Sequence, residues 1–349
     1  MNGWMNGVTG LALVCLWAVA PMSVYAAVDF TTLDNKVMTG YQGWHWCKGD
    51  GSPRNTWNHW STGKDDVPSP TKSTFDHFPD MSEYTQSYNV DLYNGSTRMK
   101  LYSHADYSTV DTHFRWMKEY NIDGAFLQRF MHEVKNLGDS KAKNRDRVAE
   151  HVMAAAEAHG RAFVMMWDVS DMSNTDFTNG ELEQDYRHLR DNLHLFDSPN
   201  YLHHRGKPLV CVWGMGSATR NPSDPTKALA VINYLKGQGL TVMGGTPTHW
   251  KDLDGDSRTG SGWMDVYTAY DVISPWMVGR TLDVAGADKA RTKYYEPEME
   301  FLNNLPNPPD YMPCVYAGFS SHNHRGQLLN QIPREGGQLL WRQAYNAKA

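Results

Sequence analysis

Residues 162–168 read AFVMMWD. An apolar run with no polar interruption is a strand buried on both faces, because a half-exposed strand would alternate. It begins just after Gly160, a helix stop, and the helix it closes carries Val148, Val152, Ala155 and His159 at helical spacing over residues 146–159. Downstream, Glu181–Leu195 reads as a polar-faced helix and Pro208–Trp213, PLVCVW, as a second buried strand. Two apolar strands joined by a helix make a parallel βαβ unit.

The alternation extends in both directions. Val37–Tyr41, Met99–Tyr102 and Ile122–Leu127 are strand candidates upstream, with Thr109–Tyr120 a helix that sets Val110, Phe114 and Met117 on one face. Downstream, Asp224-Pro225 open a helix through Leu235 that Gly237 closes. Leu240–Met243, Asp271–Ser274 and Met312–Tyr316 are further strands, with helices around Glu296–Leu302 and from Gly337. About eight strands alternating with helices over roughly 300 residues predict an α/β fold of the (β/α)8 TIM-barrel type. No glycine-rich phosphate fingerprint follows the early strands, which argues against a dinucleotide-binding sheet.

The chain has 349 residues, 40% hydrophobic and 21% charged, with net charge −6 from 33 Lys+Arg and 39 Asp+Glu. No basic run stands out, so nucleic acid is not an expected partner. Residues 1–26 read as a secretory signal: an apolar Leu11–Ala20, then Pro21, then the small-residue site Val24-Tyr25-Ala26, although no Lys or Arg precedes them. The apolar run is too short and Pro-interrupted for a membrane span. A secreted or periplasmic protein is expected, with residues 27–349 forming one barrel domain and a long loop excursion at about 42–95. Cleavage would leave Cys47, Cys211 and Cys314, too few for a disulfide scaffold; Cys211 and Cys314 lie in apolar runs and read as buried thiols.

The excursion opens with Gly40–Trp60, GYQGWHWCKGDGSPRNTWNHW. Trp44, Trp46, Trp57, Trp60, Tyr41, His45 and His59 sit among glycines, with Lys48, Asp50, Arg54 and Asn58 between them. Flat aromatic faces beside hydrogen-bonding groups suit a sugar. A structural plug closing one barrel end is the other reading. Position after the first strand favours the platform, since barrel chemistry sits at the C-terminal ends of strands.

Those strand ends supply Tyr41-Gln42, Ser103-His104, Gln128-Arg129, Asp168 with Asp171, Trp213-Gly214, Pro275-Trp276 and Ser320-Ser321-His322-Asn323. Asp168 and Asp171 are the acid/base candidates, because glycoside hydrolysis commonly uses two carboxyl groups flanking the bond; Asp168 could instead orient Arg129 or a tyrosine. Asp123 precedes its strand and reads as a turn residue. The calcium-like Asp252-Leu-Asp254-Gly-Asp256 has Ser257 where glycine is needed and Trp263 where the bidentate Glu belongs, so it reads as a solvated turn. His322-Asn323-His324 is an HxH pair with only His104 to support it. No metal or other cofactor is expected.

The segments GYQGWHWCKGDGS, NTWNHW, NIDGAFLQRF, FVMMWDVSD and YAGFSSHN, together with IPREGGQLLWRQAYNAKA, resemble bacterial proteins of glycoside hydrolase families 71 and 99, the latter including endo-α-mannosidases. The resemblance runs from about residue 36 to the C-terminus. It implies a barrel, cleavage of α-linked glycans without metal, and sugar-binding roles for Tyr41, His59, Trp60, Asp168, His322 and Asn323. It also implies a catalytic Glu-x-x-Glu on a strand after the last helix, where this sequence ends at Ala349. The barrel is then expected to lack its last strand, with Met99–Tyr102 or Leu240–Met243 extra to it. Three readings follow: a secreted glycoside hydrolase on an α-linked oligo- or polysaccharide, inactive without that motif unless Asp168 and Asp171 serve; a non-catalytic carbohydrate-binding protein; and a metal-dependent hydrolase. For the first two, the binding set is Tyr41, Gln42, Trp44, His59, Trp60, Arg129, Trp213, Trp276, His322 and Asn323.

Overall fold

A computed structural model describes residues 27–326 and 331–348. The export signal expected over residues 1–26 lies outside them. Strand β1 (Met38–Tyr41) leads into the excursion, which ends in a hairpin of β2 (Tyr88–Asn94) and β3 (Thr97–Leu101). Helix α1 (Tyr107–Glu119) returns the chain to β4 (Gly124–Phe130), and α2 (Met131–Val134) and α3 (Ser140–His159) carry it to β5 (Ala162–Asp168). Then come α4 (Asn174–Thr178), α5 (Glu181–Asp191), a short β6 (His203–His204), β7 (Lys207–Trp213), α6 (Pro225–Gly237) and β8 (Thr241–Thr246). The last part holds α7 (Ser261–Thr268), β9 (Val272–Pro275), α8 (Val284–Ala290), α9 (Glu296–Asn303), β10 (Asp310–Tyr311), α10 (His322–Arg325) and α11 (Gln338–Lys348).

Seven parallel strands, in the order β1-β4-β5-β7-β8-β9-β10, curl into a partial barrel with helices outside, and β6 adds only a short antiparallel pair to β7. Among the described residues β1 and β10 form its two edges. The barrel class expected from the alternation is therefore present, with seven parallel strands among the described residues. Met99–Tyr102 is the strand that falls outside it: β3 pairs antiparallel with β2 across a turn at Gly95. Asn94-Gly95 is a hairpin signal, and the alternation Thr97-Arg98-Met99-Lys100-Leu101 is that of a half-buried strand. Met312–Tyr316 also differs. Only Asp310–Tyr311 and the amide of Met312 pair with β9, and the chain is irregular beyond.

Alternation along the strands sorts the side chains into two layers. Tyr41, Leu127, Met165, Val210 and Val242 are successive register partners, and all join the core that packs against the helices. Phe126, Val164, Leu209, Cys211, Met243 and Val272 fill the barrel interior. Burying such side chains contributes roughly 1.5–3 kcal/mol each. Asp123 does serve the turn into this sheet: its carboxylate accepts the Val37 amide at 2.7 Å, aligning β1 with β4. Cys47, Cys211 and Cys314 are free thiols, and burial pushes Cys211 up to about 12. Among the described residues no helix is long and apolar enough to cross a membrane.

Candidate functional site

The interior-facing row at the C-terminal end of the sheet is Phe130, Asp168, Trp213, Gly245 and Ser274, each the register partner of the next. Gln128 faces the same way one step below Phe130, and its Nε2 donates to Asp168 Oδ2 at 2.5 Å. Asp168 Oδ1 accepts the amide of Ser170 at 2.8 Å. Both carboxylate oxygens are engaged and the residue is buried, so Asp168 fixes the Gln128 amide at the rim.

The aromatic excursion divides into two parts. Trp46, Trp57 and Trp60 are buried, and Trp57 and Trp60 pack with Cys47, Val90 and Leu101 under the hairpin. Trp60 Nε1 donates to the Tyr102 carbonyl at 3.0 Å, and its ring stacks on His45 at 3.9 Å. These rings are the plug. Trp44 and His59 are different: Trp44 is half-buried and His59 exposed, and their rings stack at 4.0 Å with 19° between planes. Trp44 also stacks on Phe130 at 5.3 Å and 13°. His59–Trp44–Phe130 is thus a set of near-parallel rings joining the loop to the interior row. Gly43 permits the approach: it has φ +55, and a Cβ there would lie 2.6 Å from Val148 Cγ1.

Arg145 supports this set from below. Its Nε donates to Glu133 at 2.5 Å, its Nη1 to the Gln42 carbonyl at 2.8 Å, and its guanidinium lies 4.7 Å from the Phe130 ring and 5.1 Å from Trp46. Arg54 closes the network on Glu133 at 3.2 Å. Burial pushes the Glu133 carboxyl up, but Arg145 and Arg54 outweigh it and hold the carboxyl below its usual range. Trp44 covers one face of the otherwise exposed His59, and this partial desolvation, then the Arg145 charge, lowers its imidazole below its usual value. The platform presents neutral rings at neutral pH.

Other expected site residues lie elsewhere. Tyr41 faces the helices, where its hydroxyl meets His113 Nδ1 at 2.8 Å, and Gln42 contributes its carbonyl to Arg145. Arg129 also points to the helix side and is buried in ion pairs with Asp185 at 2.7 Å and Asp146 at 2.8 Å. Its guanidinium is structural, and Asp168 orients Gln128 where Arg129 or a tyrosine was expected. Asp171 is exposed on the loop after β5, 3.4 Å from His132 Nδ1. Trp276 is 38% exposed and meets Trp213 edge to face at 5.2 Å. His322 and Asn323 are exposed at the start of α10, where their amides donate to Asp76 of the excursion at 2.7 Å each. In the calcium-like loop, Asp256 is held by His249 and Arg280. Among the described residues no three His, Cys, Asp or Glu side chains gather as a metal site.

No family model matches the chain, and no curated protein matches it in sequence. Solved structures do match in shape. An endo-α-mannosidase of glycoside hydrolase family 99 from Bacteroides thetaiotaomicron superposes with TM-score 0.55 at 14% identity, over 90% of this chain and 80% of that one, in its complex with BIS-TRIS-propane. A second structure of that enzyme gives TM-score 0.54 at 14% identity, over 90% of this chain and 81% of that one. A glycoside hydrolase-like protein gives 0.53 at 13% identity, over 85% of each chain. The chain has the family 99 fold.

Within this family 99-like barrel, four rim residues were not anticipated from the sequence: Phe130, Gln128 as a partner of Asp168, Arg145 and Asp76. Phe126, Gln128 and Phe130 do stand at period two, so extending the strand past Leu127 would have found Phe130. Arg145 carries no such signal. It lies on α3, which begins at Ser140, upstream of the helix start read from the apolar spacing.

Proposed function

We propose that the protein is a carbohydrate-active barrel of glycoside hydrolase type that takes an α-linked oligo- or polysaccharide across its rim outside the cytoplasm. The observation that carries this reading is the His59–Trp44–Phe130 stack beside the Gln128–Asp168 pair: an aromatic stack open at its His59 end, next to an oriented amide and carboxylate, the combination a pyranose ring needs. Trp213 and Trp276 extend the aromatic surface across the rim. The fold likeness to an endo-α-mannosidase supports a glycan as ligand and an α linkage.

Asp168 and Asp171 are the carboxyl groups of the hydrolytic version. A second reading, binding without cleavage, is favoured by a specific observation: both oxygens of Asp168 already accept hydrogen bonds, and Asp171 stands exposed beside His132. A panel of α-linked glycans, with binding and reducing-end release followed side by side, separates the two. Release by the wild type that falls at least a hundredfold in Asp168→Asn establishes the hydrolase; binding without release establishes the lectin-like protein. No binding to any glycan refutes both.

A further inference from the structure

Arg220 sits in the loop after β7, on the residues 214–224 that lead to α6, with its guanidinium carbon 5.5 Å from the centroid of the Trp213 ring. Trp213 belongs to the interior rim row, next to Asp168 in register, and carries Trp276 edge-on at 5.2 Å. The guanidinium therefore lies at the aromatic rim. Its loop is held firmly. Arg258 donates from Nε and Nη2 to the Arg220 carbonyl at 3.2 and 2.5 Å, the Arg220 amide bonds the Ser217 carbonyl at 3.1 Å, and Asn221 Nδ2 bonds the Met172 carbonyl at 3.1 Å.

Among the described residues no carboxylate oxygen lies within 4.0 Å of the Arg220 or Arg258 guanidinium. Nearby Arg280, by contrast, is paired with Asp256 at 2.5 Å. The chain carries net charge −6 with more carboxylates than cations, yet Arg220 is seated on a rim tryptophan with no carboxylate partner among the described residues. An arginine held against an aromatic face keeps its fork of N–H donors for a planar or tetrahedral oxyanion, and loses less side-chain freedom on binding than a mobile lysine would.

We propose that Arg220 is a specificity-determining residue that recognises an anionic substituent, a carboxylate or a sulfate, on the glycan bound at this rim. The inference rests on the glycan reading above and narrows it to acidic glycans. Trp276 supplies the exposed apolar face for the sugar that carries the charge, and Arg258 positions Arg220 by holding its carbonyl.

The test uses the full chain and a matched array of α-linked oligosaccharides: neutral, uronate-containing and sulfated. Isothermal titration measures affinity for wild type, Arg220→Gln and Arg220→Lys, with thermal unfolding to verify that each variant is folded. The expected result is an acidic glycan preferred over its neutral counterpart by roughly tenfold or more, a preference that weakens with salt, collapses in Arg220→Gln and is partly kept in Arg220→Lys. Uronate and sulfate arms identify which oxyanion is read. Neutral and acidic glycans bound equally, with Arg220→Gln no different, overturns the inference while leaving the glycan reading intact. Absence of binding to every glycan overturns both.

Discussion

Trp213 and Gly245 face each other across β7 and β8, and a Cβ on Gly245 would lie 2.2 Å from Trp213 Cδ1. The missing side chain on β8 is what lets the indole lie along the rim, where it meets Trp276 and Arg220. Gly245→Ala is therefore expected to push the indole off its seat. The overpacking costs about 1–3 kcal/mol and weakens glycan binding together with stability. Urea unfolding and titration calorimetry on the same variant check this; a variant of unchanged stability and affinity would show that the indole has room to spare.

The buried pair of Arg129 with Asp185 concerns stability. Asp185 also accepts Trp167 Nε1 at 2.8 Å, so its carboxylate ties β4 and β5 to α5. Asp185→Ala leaves the buried Arg129 guanidinium with Asp146 and takes the acceptor from Trp167 Nε1, and it is expected to cost about 3 kcal/mol. Chemical denaturation measures it. A loss under about 1 kcal/mol would place the pair among surface-like ion pairs instead.

Glu298 gives a pH dependence. It is 2% exposed, accepts the Tyr311 hydroxyl at 2.6 Å, and burial pushes its carboxyl up to about 7. Between the ordinary carboxyl range and about pH 7 the folded protein keeps a proton that the unfolded chain has lost. This contribution to stability is complete at lower pH and disappears as pH rises through about 7, at no more than about 1.4 kcal/mol per pH unit. Glu298→Gln lacks that slope, so the unfolding free energy of the variant minus that of wild type should rise with pH up to about 7. Parallel curves from pH 4 to 8 would contradict the assignment.

The strands β5 and β7 were legible because uninterrupted apolar runs have few other uses, and Asp123 because a carboxylate just before a parallel strand has backbone amides to accept. Alternation alone counts Met99–Tyr102 with the barrel strands, and the resemblance makes it one of two candidates for a strand outside: Met99 and Leu101 look apolar enough, and only pairing partners separate an antiparallel ribbon from the barrel. The site was legible in outline and not in detail. Trp44 and Trp46 stand two residues apart among glycines, yet one stacks at the rim and the other is buried against Arg54 and Arg145. Their separation depends on the left-handed turn at Gly43 and on an ion network from α2 and α3, distant in sequence. Arg129 shows the same limit. A single step in the strand's alternation decides whether it faces a ligand or the helices.

The central claim is that the aromatic stack at the rim, with Trp44 at its centre, holds a glycan. Titration calorimetry of the full chain with α-linked oligosaccharides, comparing wild type with Trp44→Ala and with Trp341→Ala, tests it most directly; Trp341 is 77% exposed on α11. The account predicts binding by wild type and by Trp341→Ala, and a loss of roughly tenfold or more in Trp44→Ala, as expected when an aromatic contact worth about 1.5 kcal/mol or more is removed. Equal affinity in all three proteins, or no binding in any, would contradict it.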